Sequence, residues 1–221
     1  MRRRSGLVLL VASATVVVSV AAFISFTRPT SNSTSFGESA ARGVQTTATS
    51  PSTRDEPAPR ISTQPAVLPT PSSSVTPTGL EIPAARISAR VAPTGVDDRG
   101  EFAVPPSIDT VGWYRFGASL ASGEGSIVIG GHVDGATEGP GAFYRLTELR
   151  SGDEITVTGD DGSERRFRVV AREQVSKKKI DLAPYFAVTG PLRLTLFTCG
   201  GEFDSAERSY VDNVVVTAVP S

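Results

Sequence analysis

Cysteine, histidine, methionine and tryptophan each occur once in these 221 residues, and the scarcity bounds what the chain can do. A single cysteine, Cys199, excludes an internal disulfide. With a single histidine, His132, it supplies only two of the four ligands that a closed zinc site gathers, so no metal and no cofactor is expected. An excess of charge of one sign is also missing. The 22 Lys and Arg offset 23 Asp and Glu to a net charge of −1, and no broad positive field draws the chain to nucleic acid. The chain does hold enough apolar residue, 39%, to pack the core of one domain of ordinary size.

A long apolar run occurs once, from Gly6 to Phe26, interrupted only by small hydroxyl residues and preceded by Arg2, Arg3 and Arg4. At about 1.5 Å rise per residue such a helix spans about 30 Å, the thickness of a bilayer core. Residues 6–26 are expected to be a transmembrane anchor and residues 1–5 a cytoplasmic tail, with everything past Arg28 outside the cell. The alternative is a cleaved signal peptide, with Leu7 to Val18 as its apolar region and Ser19-Val20-Ala21 at the cleavage position. Over residues 27–79 more than half of the positions are Pro, Ser or Thr. Such a composition cannot build a core, and a disordered tether is expected.

From residue 80 the texture changes to short alternating apolar runs separated by Gly, Pro and Asp, the pattern of an all-β domain over 80–221. The runs are Ala85–Val91, Thr110–Tyr114, Ser126–Ile129, Glu154–Thr158, Arg165–Val175, Leu192–Thr198 and Tyr210–Val219, and their order predicts a closed or nearly closed barrel. Asp160-Asp161-Gly162 signals a hairpin turn. Residues 142–149 and 182–186 are long enough only for a helical turn or two.

Strand parity orients Cys199. Leu192, Leu194 and Leu196 share one face, while Arg193, Thr195, Phe197 and Cys199 share the other. Gly200 and Gly201 are expected to end the strand and leave room for a substrate at the sulfur. Out of context a lone cysteine is a small buried hydrophobe, but an unpaired thiol in an exported domain calls for a function. His132 follows Ser126–Ile129 through Gly130-Gly131, so it too is placed at a strand end beside glycines. It is the one imidazole available to a catalytic thiol, which needs an ionising partner and an acid for a leaving amine.

If Leu192–Cys199 and Arg208–Val219 form a hairpin closed by residues 200–207, symmetric pairing sets Arg208 across from Cys199 and Tyr210 beside Phe197. A guanidinium there would stabilise the oxyanion of a scissile bond. The alternative is a surface arginine paired with Glu202, Asp204 or Glu207. Lys177-Lys178-Lys179 reads as a solvated turn, and Trp113 with Tyr114 as core. Asp134 either orients the imidazole or caps the turn at Gly135.

Thr195-Leu196-Phe197-Thr198-Cys199 resembles the Thr-Leu-x-Thr-Cys strand of sortases, and Gly131-His132 with Arg208 resembles the rest of their catalytic set. Gly125–Gly135 and Gly141–Leu149 are similar to the stretch around the histidine in the class F sortases of actinobacteria. The short interval from Cys199 to Arg208 departs from class A. The resemblance implies an eight-stranded β-barrel and a membrane-bound cysteine transpeptidase with Cys199, His132 and Arg208 in its site. Its partners would be surface proteins bearing a Leu-Pro-x-Thr-Gly-like sorting signal and a cell-wall or pilin amine. A hydrolytic cysteine peptidase shares the same acyl-enzyme, and a non-catalytic tethered β-domain is the remaining alternative.

Overall fold

The computed structural model describes residues 35–37 and 74–221. The expected anchor, residues 6–26, lies outside the described residues, as does most of the expected tether. Among the described residues no helix is long and apolar enough to cross a membrane.

Among the described residues ten strands alternate with tight turns: β1 (Pro77–Ile82), β2 (Ile87–Thr94), β3 (Thr110–Tyr114), β4 (Ser126–Gly130), β5 (Asp134–Gly135), β6 (Gly139–Pro140), β7 (Glu154–Gly159), β8 (Glu164–Ser176), β9 (Arg193–Asp204) and β10 (Ser209–Pro220). Eight of them close into the expected barrel in the order β1-β2-β3-β4-β9-β10-β8-β7, while β5 and β6 form a separate two-stranded ribbon. The barrel ladders are antiparallel except β2–β3 and β4–β9, which are parallel. Both helical turns lie where the sequence placed them, shortened to the 3-10 turns Leu146–Glu148 and Ala183–Phe186. The β7–β8 hairpin turns through Asp160-Asp161-Gly162, with Gly162 at φ 78°. There the Asp161 carboxylate accepts the Ser163 N–H at 2.9 Å.

Alternation builds the core. Leu194 and Leu196 of β9 and Val214 and Val216 of β10 point inward with Ile127 and Ile129 of β4, and all are buried. Each side chain of this kind contributes about 1.5–3 kcal/mol on leaving water. β4 is buried on both faces. Its inner isoleucines meet the core, and the Ala183–Phe186 turn packs against the strand. Burial on both faces is usual for a strand with a parallel partner. Trp113 is core, as expected, and its Nε1–H donates to the Ala118 carbonyl at 3.0 Å.

Three expectations about boundaries need correction. The barrel begins at Pro77, inside the stretch assigned to the tether, because Leu80 and Ile82 are core residues and the pairing of β1 with β2 and β7 extends back from them. Gly200 and Gly201 do not end β9, which continues to Asp204. They sit instead at a bulge, where Gly201 and Glu202 oppose the single residue Val211. Gly201 has φ 77°, and a Cβ there would lie 2.4 Å from Asp212 Oδ2, so the bulge requires glycine.

The third concerns the tether, which is ordered at residues 35–37. Phe36 pairs with Arg172 through reciprocal backbone hydrogen bonds of 2.9 Å, and Ser35 Oγ accepts the Gln174 N–H at 3.2 Å. The reason is a large aromatic residue, the only one in a tract rich in Pro, Ser and Thr. Phe36 packs against the core cluster, and the Arg172 guanidinium lies 5.2 Å from its ring centroid. Arg172 is itself buried, donating to the carbonyls of Thr147 and Leu149, and burial pulls its guanidinium below the ordinary arginine value.

Candidate active site

The parallel β4–β9 ladder pairs Ser126 with Arg193, Val128 with Thr195 and Gly130 with Phe197. The Gly131 N–H then donates to the Phe197 carbonyl at 3.0 Å, which carries the register one step beyond the strand. His132 is the next residue after Gly131, and Cys199 lies two residues beyond Phe197 on β9. Glycine is required along this path. A Cβ on Gly131 would lie 2.8 Å from Val111 Cγ1 and 2.9 Å from Phe143 Cδ2, and one on Gly130 would lie 2.3 Å from Phe102 Cε1. The His132 carbonyl accepts the Phe143 N–H at 3.0 Å, and Gly141 donates to Val133 at 2.9 Å. The backbone of the histidine is thus held from both sides.

The imidazole is half-buried, with Nε2 2.8 Å from the Pro105 carbonyl oxygen. Nearby Glu138 has its carboxyl held below the usual carboxylate range, chiefly by the Thr137 N–H and to a lesser degree by His132. Asp134 neither orients the imidazole nor caps the turn. It lies in the β5–β6 ribbon and accepts the Tyr210 hydroxyl hydrogen, tying the ribbon to the start of β10.

Cys199 is half-buried on the outer face of β9, opposite the leucines as parity requires. Its partner across the hairpin is Asn213, not Arg208, and Phe197 pairs with Val215, not Tyr210. The assumed symmetric hairpin fails for two reasons. The strands extend so far that only residues 205–208 form the turn, and the bulge at Gly201 shifts the register. Arg208 is the last turn residue, exposed and left-handed at φ 51°. Its Cα is five residues from Asn213 along the strand, about 16 Å at the usual strand rise. Among the described residues it makes no hydrogen bond or ion pair.

Near the sulfur is Lys177, the residue that follows β8. Its Nζ lies 3.5 Å from Cys199 Sγ and 3.0 Å from Ser209 Oγ. Lys178 and Lys179 are exposed, in keeping with a solvated turn, but Lys177 turns inward and that reading fails for it. Next to Cys199 the outer face is aromatic. Phe197 stacks on Phe186 at 5.8 Å between centroids, and Phe186 meets Tyr114 at 5.2 Å and Phe102 at 6.1 Å.

A family model described as the sortase domain matches residues 80–221. The chain belongs to the sortase family. The barrel of this sortase is similar to crystal structures of sortase C-1 from Actinomyces oris (TM-score 0.50, 20% identity, 65% of this chain and 72% of that one). It is also similar to sortase C1 from Streptococcus agalactiae (TM-score 0.51, 19% identity, 65% and 66%). A lid mutant of sortase A from Corynebacterium diphtheriae aligns at TM-score 0.49 and 20% identity, over 69% of this chain and 74% of that one. No curated protein matches the chain. Membership makes this sortase a cysteine transpeptidase of the kind that anchors surface proteins or pilins.

Sequence reasoning missed two features of the sortase site. Lys177 was hidden in a run of three lysines, and only its place directly after a long strand distinguishes it. Phe102 and Pro105 lie in a stretch without strand character, and nothing local marks them as neighbours of Gly130 and His132.

Proposed function

We propose that Cys199 is the nucleophile, His132 the acid and base, and Arg208 the oxyanion cation of a transpeptidase acting on Leu-Pro-x-Thr-Gly-like sorting signals. The observation that supports this reading is the β4–β9 register, which pairs the end of β4 with β9 at Phe197, two residues before Cys199 and with His132 two residues after Gly130. The Cys199 thiolate attacks the Thr carbonyl carbon of the signal, so that an S–C bond forms and the C–N bond breaks. His132 gives its proton to the departing amine. A cell-wall or pilin amine then attacks the thioester, loses a proton to His132 and releases the thiolate. Arg208 is the cation that the resemblance assigns to the carbonyl oxygen during both additions, a role that needs its side chain nearer to Cys199 than the turn sets it.

The chain is further assigned to class F, on the similarity of Gly125–Gly135 and Gly141–Leu149 to that class. Residues 6–26 hold it in the cell membrane as a single N-in pass, with the barrel outside. The test is to incubate the full chain and a Cys199→Ala variant with a panel of sorting peptides, with and without an amine acceptor, and to identify products by mass. A new amide that depends on both Cys199 and the acceptor is expected. A carboxylate product that persists with saturating amine would make the enzyme a hydrolase. Transfer retained in Cys199→Ala would refute the reading.

A further inference from the structure

Three positions in the β8–β9–β10 part of the barrel share its outer face. Cys199 is opposite Asn213, and Asn213 is opposite Val175. Two residues beyond Val175, on the same face, is Lys177, whose backbone N–H donates to the Val211 carbonyl at 3.0 Å. From that fixed root the side chain reaches past β10 to β9. Its ammonium is shared between Cys199 Sγ at 3.5 Å and Ser209 Oγ at 3.0 Å, partly shielded from water. Serine orients the ammonium without competing for its charge. Arg208 is exposed on the turn at the far end of the hairpin.

We infer that Lys177 is a further catalytic residue, whose ammonium stabilises Cys199 as the thiolate. The inference rests on the reading of Cys199 as the nucleophile. An ammonium at hydrogen-bond distance from sulfur favours its charged form, and a partly dry setting strengthens the pairing. No proton moves to or from Lys177 in this role. Other charged or titratable groups at this end of the surrounding elements are Glu173 on β8, Glu202 and Asp204 on β9, Tyr210 and Asp212 on β10, and His132 after β4. His132 is bonded to Pro105 and Asp212 accepts from Gln174 Nε2 at 2.7 Å. The family triad, by contrast, assigns the cation role to Arg208 and its oxygen-binding function. Lys177 would act on sulfur before attack, a role distinct from any on the oxygen.

The test is the rate at which iodoacetamide alkylates the full chain, whose single thiol makes the mass shift unambiguous. The parent, Lys177→Met, Lys177→Arg and Lys178→Met are compared at pH 7 and pH 10. Lys177→Met is expected to react about tenfold more slowly than the parent at pH 7 and at the parental rate at pH 10, where thiols ionise unaided. Lys177→Arg and Lys178→Met should follow the parent, the second because it removes an equal charge without the contact. Parental alkylation of Lys177→Met at pH 7 would overturn the inference. So would equal slowing at both pH values, which marks a change of access rather than of charge. Melting temperatures are read alongside, and Lys177→Gln, with the same expectations, replaces a Met variant that does not fold. Alkylation needs no sorting peptide, so a chain that alkylates as expected but transfers nothing would count against the proposed function and not against this contact.

Discussion

His132 Nε2 lies 2.8 Å from the carbonyl oxygen of Pro105. A carbonyl has no proton to give, so the hydrogen of this bond is on the ring and Nδ1 is the nitrogen left for exchange. The backbone around the histidine is held by main-chain bonds that do not involve its side chain. Replacement of His132 by Ala should therefore lower the melting temperature by only a few degrees. Acyl-enzyme formation, followed by mass with a sorting peptide, is expected to fall by about 100- to 10,000-fold, the range for a lost general acid. Acylation within a few-fold of the parent would remove His132 from the chemistry.

Arg208 combines exposure with a left-handed backbone, φ 51°. Glycine adopts this conformation without the steric cost borne by other residues, of order 1 kcal/mol. Arg208→Gly should therefore raise the melting temperature slightly while lowering acylation about 100- to 1,000-fold, the usual effect of losing one oxyanion donor. Arg208→Lys keeps the charge but not the planar fork and should recover little. If Arg208→Gly acylates normally, the residue belongs to the turn alone.

Docking of Phe36 on β8 has a local reporter, because the Arg172 amide donates to the Phe36 carbonyl. A Cβ on Gly37 would lie 2.1 Å from the Val170 carbonyl oxygen, and the residue has φ 83°. Gly37→Val should thus speed hydrogen exchange at the Arg172 amide by at least about tenfold, with the barrel still folded. Phe36→Ala should cost about 1–2 kcal/mol of stability through lost apolar contact. Unchanged exchange in Gly37→Val would show that the bridge does not protect this amide in solution.

What could be read from the sequence was local. The alternation of Leu192, Leu194 and Leu196 sends Cys199 to the outer face, because parity survives any change in strand length. Gly130-Gly131 marks the place where His132 leaves β4. The register of β9 against β10 was out of reach, since it depends on a turn of only four residues and a bulge at Gly201. A shift of five positions along the partner strand, from Arg208 to Asn213, follows from those two details. β1 escaped notice because Pro77-Thr78-Gly79 has the composition of the preceding tract, and only its two neighbouring strands make it a strand. Lys177 eluded the reading because the direction of a long side chain is decided by what lies two strands away.

Phe102 and Pro105 belong to one short segment between β2 and β3, three residues apart, and they touch the site at two points. The Phe102 ring lies against Gly130, between Tyr114 and Phe186, and the Pro105 carbonyl holds His132. A peptide laid along β4 and β9 must either pack on that ring or push it aside. Because only two residues separate Phe102 from Pro105, a displacement of the ring would carry to the carbonyl that holds the imidazole.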